Sequence, residues 1–171
     1  MRRSMIVLTT VALAMMLAAT TVLAGPPVQP RNFVAPLSGA EEVLADGTIG
    51  VDTRARGVAI LQLSSDGTEL SYRLIASNIE NVLMAHIHCC APPGENAGVV
   101  VWLYPEAPPP QLIPGRHDGV LATGTITDAD LVGIFAGMTV DDLVDEIVAG
   151  NAYVNVHTQQ FPAGEIRGQL R

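Results

Sequence analysis

Residues 54–77 read RARGVAILQLSSDGTELSYRLIAS, two runs of alternating apolar and polar residues on either side of Asp66-Gly67. A period of two is the pattern of a strand half-buried against a core, and Asp-Gly tolerates the positive φ angles that a tight hairpin turn demands. With those two residues as the loop, Leu63 faces Leu70, Leu61 faces Tyr72 and Ala59 faces Leu74, so one face is apolar. Gln62 then meets Ser71 and Ile60 meets Arg73 on the other face, which predicts a sheet with one side wet.

The last residues, 151–171, repeat this logic in NAYVNVHTQQFPAGEIRGQLR. A turn around residues 162–164 sets Val156 opposite Ile166 and Ala152 opposite Leu170 on the buried side. His157 is then placed near Glu165, Asn155 near Arg167 and Tyr153 near Gln169, a polar ladder whose pairs contribute about 0.2–1 kcal/mol each. Further strands are expected at NFVAPLSG (32–39), NVLMAHIH (81–88), GVVVWLYP (98–105) and GVLATGTIT (119–127). One stretch breaks the β pattern. Thr139 opens a Thr-x-x-Asp cap and Gly150 stands where a C-terminal cap belongs, so residues 139–149 are expected to form a short helix, with Asp128 able to cap a shorter turn before it. Many short strands with one or two short helices before the C-terminal hairpin predict an all-β fold, an antiparallel β-sandwich or Greek-key-like barrel.

The chain opens MRRSMIVLTTVALAMMLAATTVLAGPPVQP. Two arginines, a long apolar run and small residues ending at Ala24 are the grammar of a signal peptide, with cleavage expected after Ala24. An uncleaved membrane anchor is the competing reading, because the apolar run approaches the span of a bilayer; the small residues at Val22 and Ala24 and the proline-rich exit favour cleavage over it. Residues 25–32 then form an extended, proline-rich leader, and 33–171 a single domain. Export to the periplasm, cell surface or medium follows, with no membrane attachment after cleavage. Loss of Arg2 and Arg3 leaves 7 basic against 17 acidic residues, a formal charge of −10, and there is no lysine. So acidic a surface is not built for nucleic acid or an anionic membrane; solubility explains it.

In MAHIH (84–88) the strand period puts Met84, His86 and His88 on one side and Ala85 and Ile87 on the other. That spacing presents two imidazoles to one point, and His157 lies in another expected strand. His117 falls in the Pro/Gly-rich stretch 105–119 and is read as a solvated loop residue.

Several of these segments together carry a family resemblance. LSGAEE (37–42), AHIH (85–88), NVHT (155–158) and GEIRGQ (164–169) resemble the CHRD domain, the module first described in chordin, across nearly everything after residue 32. The resemblance implies a β-rich extracellular domain acting as a non-catalytic binding or structural module, with extracellular protein partners by analogy to chordin. Cys89-Cys90 departs from that pattern, where relatives commonly carry a small residue and glycine.

Two chemistries compete for the histidines. A His-x-His pair plus a third histidine on a neighbouring strand can hold copper or zinc, and resembles the copper half of Cu,Zn superoxide dismutase. His86, His88 and His157 are the candidate ligands; Met84, Cys89 and Cys90 are additional ones that favour copper(I). Asn155, Glu165 and Arg167 are placed to orient the imidazoles or to form a buried polar network with them in place of a metal. The dismutase reaction itself is not expected, because that enzyme's bridging histidine and zinc loop have no counterpart. Cys89-Cys90 admits three states: a vicinal disulfide, free thiols, or pairing between chains. No nucleophile elbow or phosphate-binding loop is present, and PPGENAG (92–98) is read as a surface turn.

Overall fold

The computed structural model describes residues 30–171. The signal peptide expected at 1–24 and residues 25–29 of the leader lie outside them. The described residues form seven strands: β1 (Asn32–Ser38), β2 (Arg56–Leu63), β3 (Leu70–Cys89), β4 (Gly98–Tyr104), β5 (Ile113–Ile126), β6 (Tyr153–Thr158) and β7 (Ile166–Gln169). All the pairings are antiparallel.

Both hairpins adopt the expected registers. Leu63 pairs with Leu70, Leu61 with Tyr72 and Ala59 with Leu74; Tyr153 pairs with Gln169, Asn155 with Arg167 and Val156 with Ile166. The first turn is built differently from the expectation. Only Gly67 has positive φ, at 78°, so this is not the two-residue mirror-image turn, which requires it at both positions. The Asp66 carboxylate instead accepts from the Ser64 hydroxyl at 2.6 Å and from the backbone and hydroxyl of Thr68.

β3 organises everything else. The two strands expected at 70–77 and 81–88 are one strand of 20 residues, re-aimed by Asn78 and Asn81, both at φ 54°. Asparagine is among the few residues that take this backbone at little cost, and the register against β5 shifts at each. Residues before the bend pair with β2, and residues after it pair with β6. The path β2-β1-β7-β6-β3 therefore returns to β2 and closes a barrel, with β4 and β5 added along the outer edges of β3. β5 begins six residues before the expected position, so His117 is not in a loop: it pairs with Ile79 and is half-buried. Asp118 accepts from the Asn78 backbone, and Arg116 donates to the Asn78 side chain, each contact tying the bend to β5.

Phe33, Leu61, Leu74, Ile87, Leu103 and Ile166 are among the side chains of one continuous core. The helix α1 (Val140–Val148) joins it through Val140, Leu143, Val144 and Ile147, the i, i+3, i+4, i+7 face of an amphipathic helix. Thr139 and Asp142 form the expected capping box. Asp128 does not cap its own turn; its carboxylate accepts from the Val140 backbone at 2.7 Å and so caps α1.

Candidate functional site

Alternation along β3 sends Ala85, Ile87 and Cys89 into the core and Met84, His86 and His88 to the opposite face. In the ladder with β6, Met84 lies opposite His157, His86 opposite Asn155 and His88 opposite Tyr153. Directly opposed residues share a face, so these six side chains and Trp102, opposite His86 on β4, form a second layer. This face is covered: His86 is 2% exposed, His88 8% and His157 6%.

The three imidazoles converge. One ring nitrogen from each lies within 4.8 Å of one from each of the others, and Nδ1 of His86 is 3.2 Å from Nε2 of His157. Nδ1 of His88 is 3.0 Å from the Ala97 carbonyl and Nδ1 of His157 is 3.1 Å from the Pro162 carbonyl. A carbonyl only accepts, so each Nδ1 carries the proton and each Nε2 presents a lone pair. Burial pushes His86 down to about 3 and His88 to about 4. His157 and His88 add to the effect on His86, and His157 and Arg167 to that on His88. Burial also lowers His157. All three rings are therefore neutral near pH 7. Nε2 of His86 and Nε2 of His88 are buried and have no hydrogen-bond partner among the described residues. Orphaned buried nitrogens are costly unless something occupies them.

The residues expected to orient the rings make their hydrogen bonds elsewhere. Asn155 donates to the Glu42 carboxylate and to the Ile166 carbonyl. Glu165 accepts from the hydroxyls of Thr53 and Thr158, at 2.6 and 2.7 Å. Arg167 donates to Asn96 Oδ1 and to the Glu95 carbonyl. It reaches the histidines indirectly: its guanidinium lies 3.4 Å over the Tyr153 ring, and that ring stacks on His88 at 4.8 Å with 1° between the planes. The Tyr153 hydroxyl accepts from the backbone N–H of Ala97, the residue whose carbonyl holds His88. The turn at 92–98 is thus on the surface, as expected, and also anchors the histidine layer from above.

Sequence reasoning missed Glu42, Trp102 and the stacking role of Tyr153. Glu42 is buried, and burial raises its carboxyl against the lowering effects of the Val43 N–H, Asn155 and Arg167. Trp102 packs edge-on against His86 at 4.3 Å. Glu42 closes the LSGAEE motif, so a signal was present without a role attached. Gly164 lets the layer close: at φ 137° it carries no side chain, and a Cβ there would stand 2.5 Å from Glu42 Oε2 and 2.7 Å from Asn155 Nδ2.

Cys89 and Cys90 are bonded to each other, so neither is a thiolate ligand in this state. Cys89 also points to the core side, away from His88.

The CHRD domain profile matches residues 33–170. The chain belongs to the CHRD family. No curated protein and no solved structure matches it. Among the described residues of this CHRD domain, no helix is long and apolar enough to cross a membrane.

Proposed function

We propose that this CHRD domain is a non-catalytic binding module working outside the cytoplasm, and that the ligand of its histidine layer is a copper or zinc ion. The observation that carries this reading is the convergence of three buried, neutral imidazoles, two of them held by Nδ1–H bonds to carbonyls that leave Nε2 available. Such carbonyl bonds are the support that metal-ligating histidines commonly have. Nδ1–H of His86 donates to Nε2 of His157 at 3.2 Å. Two nitrogens bound at 2.0–2.1 Å to one tetrahedral ion stand about 3.3 Å apart, so an ion would take the place of that proton, which would move to Nε2 of His86. His86, His88 and His157 would hold the ion, with Met84, opposite His157, a soft donor on the same face. A bound copper or zinc ion supplies Lewis acidity, and copper also supplies one-electron chemistry. Membership of the CHRD family and the expected signal peptide support action outside the cell, where binding to a protein partner through another surface is the second role that membership of the family favours.

Calorimetric titration of metal-free protein, prepared without a histidine tag, tests the reading. Copper or zinc should bind at one equivalent, and His88→Ala or His157→Ala should weaken binding at least about 100-fold, while the fold persists by circular dichroism. Saturable binding unchanged in both variants, or no binding of either metal, overturns it and leaves the layer as a structural network.

A further inference from the structure

The vicinal cysteines form a second cluster, on the opposite side of β3 from the histidines. Cys89 Sγ, Cys90 Sγ and a carboxylate oxygen of Glu146 lie within 4.8 Å of one another. Cys89 is in the core, Cys90 is exposed and Glu146, in the last turns of α1, is half-buried. Cys90 and Glu146 line a shallow groove with Met138, Asp142 and Asp145.

A disulfide stabilises chiefly by closing a chain loop, and the effect grows with the number of residues enclosed. This one joins residues one apart. It encloses no loop and cannot act as a staple, so its chemistry is the better place to look for a role. Cys90 is open to a reductant, since its residue is exposed while its partner is covered. Reduction would present two thiols and one carboxylate at a single point. Sulfur and oxygen donors in that number suit a tetrahedral zinc-like ion whose fourth position is water. The groove carries further negative charge from Asp142, and the carbonyl end of α1, near Glu146, favours a cation there.

We propose that Cys89, Cys90 and Glu146 form a redox-gated metal site, closed as the disulfide and opened to one zinc-class divalent cation by reduction. The opening step is thiol–disulfide exchange with a dithiol donor. The donor's two S–H groups are oxidised to its own disulfide; the Cys89–Cys90 bond takes up two electrons and two protons and becomes two thiols. Metal binding then releases the two thiol protons, and the Glu146 carboxylate supplies the third donor. The site stands independently of the histidine layer, because Cys89 faces away from His88 and no imidazole belongs to the cluster.

Cobalt(II) serves as the probe, because thiolate-to-cobalt charge transfer in the near ultraviolet is absent from purely imidazole sites. Purified protein is titrated before and after reduction by a phosphine, with circular dichroism recorded alongside. The oxidised protein should show no thiolate band. The reduced protein should keep its fold and develop the band at one equivalent. Cys90→Ser should abolish the band, and Glu146→Gln should retain it while weakening affinity about tenfold or more. His88→Ala should leave it unchanged. No band in folded, reduced protein overturns the proposal, as does unfolding on reduction. A band lost in His88→Ala but unaltered in Glu146→Gln also overturns it, placing the thiolates on the histidine layer instead.

Discussion

The two hairpins have the same alternating sequence pattern and opposite solvation. In β2–β3, the face away from the core is wet: Gln62, Ser71 and Arg73 are all exposed. In β6–β7, Asn155, His157 and Arg167 occupy the equivalent face and are 2%, 6% and 1% exposed. The difference lies in what covers each ribbon. Among the described residues nothing covers the outer face of the first, whereas the turn at 92–98, Glu42 and the turn at 159–165 close over the second. A polar residue on a strand is a surface residue until another segment covers it. It then needs partners for every hydrogen-bonding atom, and most in this layer have them. Among the described residues of this layer, Nε2 of His86 and Nε2 of His88 are the atoms without one.

Substitutions on the two ribbons should separate sharply. Arg167→Ala removes a buried guanidinium, leaves Asn96 Oδ1 and the Glu95 carbonyl without their donor and unstacks Tyr153. It should cost about 3 kcal/mol in denaturant unfolding, and should also weaken metal binding, because His88 loses its stacked support. Gly164→Ala meets both a positive φ and the Glu42 and Asn155 side chains, and should cost about 2 kcal/mol.

Acid should act through the covered ribbon as well. An imidazole titrates at 6.5 in the unfolded chain, but at about 4 for His88 and about 3 for His86 in the folded protein. Above pH 6.5 neither state binds a proton at these rings, and their contribution to stability is fully present. As pH falls from 6.5 towards 4 the unfolded chain takes up protons that the folded one refuses, so the unfolding midpoint should decline through that window. Replacing His86 and His88 together by glutamine should flatten the decline; an undiminished slope would show that other groups set it. The smallest effect belongs to the wet ribbon: Arg73→Ala should change stability by no more than about 0.5 kcal/mol. A loss there equal to that of Arg167→Ala would erase the contrast between the hairpins.

Local chemistry made much of the fold legible. Asp66-Gly67 and the alternation about it determine a register, and Thr139, Asp142 and Gly150 bound a helix, because turns, caps and strand faces depend on neighbours in the chain. The bend in β3 was not legible as a bend. The stretch around Asn78 and Asn81 looks like a break between two strands, and only pairing with β5 keeps it continuous. The start of β5 was hidden for a similar reason, since residues 113–118 have a loop-like composition and are strand because the bend in β3 needs a partner there.

At the site, the sequence by itself determined that Met84, His86 and His88 share a face and that His157 belongs to the other hairpin, since a strand's period of two allows nothing else. Only the tertiary structure decided that the face is covered, that Ala97 and Pro162 hold the rings by their Nδ1–H groups, and that Glu42 and Arg167 serve Asn155 and Tyr153 in place of the histidines. Those contacts join residues up to 113 positions apart, and burial at that range depends on how the barrel closes, a property of the whole chain that no local pattern encodes.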